Sequence, residues 1–174
     1  MKKVTGAKRV VLLGHPLVGK TSTLQAIGRR KGGAFESLEM RTSDPISDRG
    51  LKVSWQEGPD SFEVVTLSGS VWDSKSWSHL SAPGCQYVLL IDVQASAQTL
   101  TLFEVISALQ NGRGPLGAVQ FTKMDLVEKV PAIDLPFLER MLRNIGVPCF
   151  FSRLDQPETL CAGCFHVLDR TKGK

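Results

Sequence analysis

Short apolar runs alternate with longer stretches of helical period from one end of this chain to the other, the pattern of strands that feed helices in an α/β sheet. Lys8 to Leu13 reads as the first strand, and Thr21 to Lys31 as a helix with Leu24 and Ile27 on one face and Gly32-Gly33 as its stop. From Ala34 to Gly50 no period holds, and Pro45 among Ser, Asp and Arg residues marks a polar connection long enough to be a functional loop. Leu51, Val53 and Trp55 then alternate with Lys52, Ser54 and Gln56, and the turn Glu57-Gly58-Pro59-Asp60 leads into Phe62 to Leu67. These two runs predict an antiparallel hairpin at the sheet edge.

The Ser-rich segment from Ser68 to Gly84, with Trp72, Trp77 and His79, suits a second mobile loop and a short helix. Tyr87 to Val93 reads as a buried strand, the region around Ala95 to Gln110 as a helix, and Gly112-Arg113-Gly114-Pro115 as a break. Leu116 to Phe121 is the next strand, and Pro136 to Ile145 a helix with Leu138, Met141 and Leu142 inward, stopped by Gly146. Val147 to Phe151 is the last strand, and Pro157 opens a closing helix to about Asp169. The expectation is a three-layer α/β fold with a six-stranded, mostly parallel sheet, an antiparallel edge pair and about five helices.

Residues 14 to 21, Gly-His-Pro-Leu-Val-Gly-Lys-Thr, fit G-x-x-x-x-G-K-[ST] between the first strand and the first helix, the context that phosphate-binding loop requires. Backbone N–H groups of such a loop converge on phosphate oxygens at a helix start. Gly14, His15, Leu17, Val18 and Gly19, with Lys20, Thr21 and Ser22, are therefore the candidate phosphate-binding residues. Lys20 would reach the β- and γ-phosphates, and the Thr21 hydroxyl would ligate Mg²⁺. At the end of the fifth strand stands Thr122-Lys123-Met124-Asp125. A carboxylate there accepts both N1–H and the exocyclic amino group of guanine, a donor pair adenine lacks, so Asp125 would select the base. The stem of Lys123 would lie over that base and Thr122 would tie the turn to the phosphate loop, while Ser152 and Arg153 occupy the place where backbone N–H meets the guanine oxygen.

Length and composition match one domain over residues 1–174, of 42% hydrophobic content and net charge +4. Its basic clusters are short and scattered and lack interleaved aromatics, which argues against nucleic acid as a partner. The first residues lack the apolar run of a signal peptide, Lys2 excludes N-myristoylation, and the terminal Thr-Lys-Gly-Lys offers no prenylation cysteine. A cytoplasmic protein with no stable membrane anchor is expected. Cys161-Ala-Gly-Cys164 has the spacing of half a zinc site or a redox pair, but without a second close-spaced pair a structural role is favoured for it, as for Cys85 and Cys149.

Over nearly its whole length the chain resembles the Ras-like small GTPases of the P-loop NTPase class, and within them it is most similar to the bacterial MglA-type polarity and gliding GTPases. The resemblance rests on Arg41-Thr42 in the first loop and Thr66-Leu67-Ser68-Gly69 after the third strand, where most Ras-like proteins carry Asp-x-x-Gly. It implies that Thr42 binds Mg²⁺ through its hydroxyl, that Gly69 offers its N–H to the γ-phosphate, that Thr66 touches a metal-bound water, and that Arg41 is an arginine supplied in cis to the transferring group. Loss of the aspartate at Thr66 implies weaker Mg²⁺ affinity. Protein regulators and effectors would read residues 34–50 and 68–84, Trp72 and Trp77 being either exposed anchors or packed under the loop; a roadblock-domain homodimer is the activating partner the likeness implies.

Two departures bear on turnover. Ser70 stands where the family places a water-orienting glutamine, and Pro16 removes one donor from the phosphate loop. His15 beside it reads either as a base or as an outward-packed loop side chain. Two functions stay open: a switch that binds GTP and GDP with Mg²⁺ and hydrolyses GTP slowly with help from a partner, serving cell polarity or motility, and a pseudo-GTPase that binds nucleotide as an interaction module. A phosphoryl-transferring kinase is disfavoured, because no arginine-bearing insert supplies a lid.

Overall fold

The structure, a computed structural model, describes residues 7–40, 48–67, 85–95, 98–108, 116–126 and 133–171. Among them, seven strands form a single sheet in the order β2-β3-β4-β1-β5-β6-β7. The strands are β1 (Lys8–Leu13), β2 (Ala34–Met40), β3 (Asp48–Glu57), β4 (Asp60–Leu67), β5 (Gln86–Asp92), β6 (Leu116–Thr122) and β7 (Cys149–Phe151). The described α-helices are α1 (Lys20–Lys31), α2 (Gln98–Ala108), α3 (Leu135–Asn144) and α4 (Ala162–Thr171). β4, β1, β5, β6 and β7 run parallel, and β3 is antiparallel to both of its neighbours.

Alternation in the central strands divides the core in two, because successive side chains of a strand leave on opposite faces. Val11 and Leu13 of β1, Leu89 and Ile91 of β5 and Phe121 of β6 pack with Leu102 of α2 and Leu138 and Leu142 of α3. On the other face Val10, Leu12, Val88, Leu90 and Val64 pack with Leu24 and Ile27 of α1 and Cys164, Val167 and Leu168 of α4. The result is a three-layer arrangement with helices on both faces of the sheet. Asp134 caps α3 by accepting the N–H of Phe137 at 3.0 Å, and left-handed Gly32 ends α1.

Six strands were expected, and seven are present among the described residues. The additional strand is β2, which falls inside the stretch from Ala34 to Gly50 that reads as a polar loop. The expected hairpin forms as β3 and β4, yet it stands one strand in from the edge, because β2 pairs antiparallel along β3 from Ala34↔Ser54 to Met40↔Asp48. β2 shows no hydrophobic alternation because an edge strand buries little; Phe35 remains 50% exposed. It is held by the backbone ladder, by the Glu36–Lys52 ion pair at 2.9 Å, and by the ring of Phe35, which lies so close to Gly28 of α1 that a Cβ there would meet it at 2.4 Å.

Smaller differences have local causes. The last strand begins at Cys149 rather than Val147, after Pro148. The closing helix starts as a 3-10 turn, Pro157–Cys161, before the α-helical part. Gln120 of β6 sits at that junction with its side chain wholly buried. Its Nε2 donates to Leu160 O at 2.9 Å, and its Oε1 accepts the N–H of Gly163 at 3.0 Å. The short helix and loop expected between Ser68 and Gly84 lie outside the described residues. No described helix is long and apolar enough to cross a membrane.

Candidate functional site

The parallel strands β1, β5, β6 and β7 all end at one edge of the sheet, and the segments that leave them carry most of the candidate residues. From β1 the chain goes to β2, β3 and β4 on one side, while β5 lies on the other. A reversal of this kind opens a crevice at the carboxyl ends of the strands. Gly14 to Gly19 occupies it.

In that loop Gly14 has φ 152°, and a Cβ on it would meet Val18 Cγ1 at 2.7 Å and Leu90 O at 3.0 Å. Gly19 is left-handed at φ 103° and gives α1 no side-chain cap, and the first turn of α1 contains no acid. The N–H groups there are thus left to another acceptor, in the field of the helix dipole. Val18 is buried, whereas Leu17 is 90% exposed although its φ is 63°. A left-handed leucine is costly, and strain of this kind concentrates at ligand sites. Thr21 is exposed and Ser22 half-buried at the helix start.

Lys20 turns back into the loop. Its Nζ donates to Gly14 O at 2.6 Å and His15 O at 2.7 Å, with the residue 9% exposed. Burial lowers its pKa to about 8. Half-buried His15 is also lowered, first by desolvation and then by the nearby Lys20, against a smaller opposite pull from Glu104. The ammonium is therefore an internal cation held by carbonyl dipoles, placed where an oxyanion would be a stronger partner.

The second half of the site follows β6. Thr122 is buried, with its Oγ1 donating to Ile91 O at 3.2 Å, which ties the turn to β5. Lys123 is left-handed at φ 63° and its Nζ donates to Asp92 Oδ2. Asp125 Oδ1 accepts the N–H of Leu154 at 3.1 Å, and Met124 N–H donates to Ser152 O at 3.1 Å. Two bonds thus lock the segments after β6 and β7 together. Ser152 is buried against Phe121 O, and the Arg153 guanidinium is spent on Asp155 through two contacts of 2.9 Å.

Thr66 is buried at the matching end of β4, in register with Leu12 just before the Gly14–Gly19 loop. Arg41, Thr42, Gly69 and Ser70 lie outside the described residues, as do Trp72 and Trp77. Asp92 was not singled out by the motif reading. A carboxylate closing the apolar run Tyr87 to Ile91 was the available signal, since a buried acid at a strand end needs a partner.

The cysteines are free thiols, and Cys85, Cys161 and Cys164 are buried. Burial pushes the thiols of Cys149 and Cys161 up to about 11 and that of Cys164 higher still. Among the described residues no cluster of three or more His, Cys, Asp or Glu side chains is arranged to hold a metal ion. No protein-family model matches the chain, and no curated protein matches it.

Proposed function

We propose that the chain is a guanine-nucleotide-binding switch of the small-GTPase type, akin to the MglA-type proteins, that takes GTP and GDP with Mg²⁺ and hydrolyses GTP slowly in the cytoplasm. The observation that carries this reading is the convergence, at one sheet edge, of the loop around Lys20 and the turn that presents Asp125. Lys20 would exchange its two carbonyl contacts for phosphate oxygens. Asp125, oriented through the N–H of Leu154, would accept the two guanine donors. The hydroxyl of Thr21 at the helix start would ligate the cation and that of Thr66 would touch a metal-bound water, a hard oxygen set that suits Mg²⁺. When bound there, Mg²⁺ would neutralise charge between the β- and γ-phosphates.

Thr42 and Arg41 would complete the site from the first loop, and Gly69 from the second, so that regulators read residues 34–50 and 68–84 according to the nucleotide. A roadblock-domain homodimer is the partner we propose for activation, and cell polarity or motility the setting. The second reading, a pseudo-GTPase module, is favoured by Ser70 and Pro16, and by the exposed side chain of Leu17 beside Pro16. Phosphate release from GTP with Mg²⁺, measured alone and with a roadblock homodimer, separates the two. The switch predicts slow release that the partner accelerates. Tight GTP binding with no release in either condition would leave the module.

A further inference from the structure

Asp92 ends β5 only 7% exposed, a placement that costs free energy unless the carboxylate is fully partnered. Its Oδ1 accepts the N–H of Gln94 at 2.9 Å, and its Oδ2 takes the ammonium of Lys123. Asp92 is in register with Thr122, and β5 lies between β6 and β1. The Lys123 side chain therefore leaves the turn after β6 and reaches the end of β5, the strand between that turn and the loop after β1. A lysine stem has much rotamer freedom to lose, so an anchored one is a different surface from a free one.

We infer that Asp92 is a positioning residue for the nucleoside: by anchoring the ammonium it lays the methylenes of Lys123 across the end of β5 as an apolar shelf for the purine face. The inference rests on the guanine-nucleotide reading and names a residue of that site which touches no ligand itself. The anchor also neutralises the charge of Lys123, so the turn contributes a surface to the base and leaves phosphate attraction to Lys20. An asparagine at this position keeps one acceptor for Gln94 and turns an amino group toward the ammonium. The shelf is then released while the fold keeps its side-chain volume.

The test measures binding of GDP and of inorganic tripolyphosphate to the unaltered chain, Asp92→Asn, Lys123→Met and the double variant, with thermal unfolding of each. Asp92→Asn should weaken GDP about tenfold, the scale of one charge-assisted contact, and leave tripolyphosphate unchanged. In the Lys123→Met background the same substitution should add nothing, because its route of action is gone. Equal losses for both ligands, or additive losses in the double variant, would overturn the inference and make Asp92 a purely structural group. GDP binding that Asp92→Asn leaves intact would also overturn it alone. A chain that takes tripolyphosphate but not GDP would overturn the guanine reading itself, and this inference with it.

Discussion

Raising the pH from 7 to 9.5 should stabilise the unliganded chain through Lys20. Its folded-state pKa is about 8 against 10.5 for an ordinary lysine, and the cause is burial. The unfolded chain therefore holds this proton to higher pH than the folded one, and stability rises with pH across the window from about 8 to 10.5. For those two values the gain between pH 7 and 9.5 is about 2 kcal/mol. The carbonyls of Gly14 and His15, at 2.6 and 2.7 Å, favour the charged form and trim the gain to about 1–2 kcal/mol. Urea unfolding at several pH values, for the unaltered chain and for Lys20→Met, isolates the effect, because titrating groups that do not feel Lys20 cancel in the difference. A difference independent of pH would show that the ammonium is fully solvated and that the loop does not enclose it. Phosphate binding should reverse the sign, restoring the proton to Lys20 and weakening as the pH passes 8.

Two substitutions test the framework around the site. Gly14→Ala should abolish nucleotide binding measured by equilibrium dialysis, since its Cβ would stand 2.7 Å from Val18 Cγ1 and 3.0 Å from a main-chain oxygen, and normal affinity would show that the loop tolerates a different path. Gln120→Leu leaves Leu160 O and Gly163 N–H buried without partners and should cost about 2–4 kcal/mol in chemical denaturation; a loss under about 0.5 kcal/mol would mean that the junction before α4 repacks at once.

Much of the layered fold was legible because its central strands are continuous apolar runs and α3 carries a clear apolar stripe. β2 was not, since Phe35 and Leu38 show no alternation against a core and the strand is fixed by its ladder to β3 and by contact with Gly28, a relation across the chain that no local window contains. At the site, the glycine-flanked loop before α1 and the place of Asp125 after β6 were readable from residue type and spacing. The left-handed conformations of Leu17 and Lys123 were hidden, because neither residue type signals it. Asp92 was hidden for a different reason: its meaning lies in the partner 31 positions away.

Recognition of a guanine nucleotide by Lys20 and Asp125 together is decided by the affinities of the purified chain for GDP and ADP in the presence of Mg²⁺. GDP should bind at least about a hundredfold more tightly than ADP, as expected for a site that must satisfy a carboxylate, and Lys20→Ala should lose both. Equal affinity for the two nucleotides, or GDP binding that survives Lys20→Ala, would contradict it.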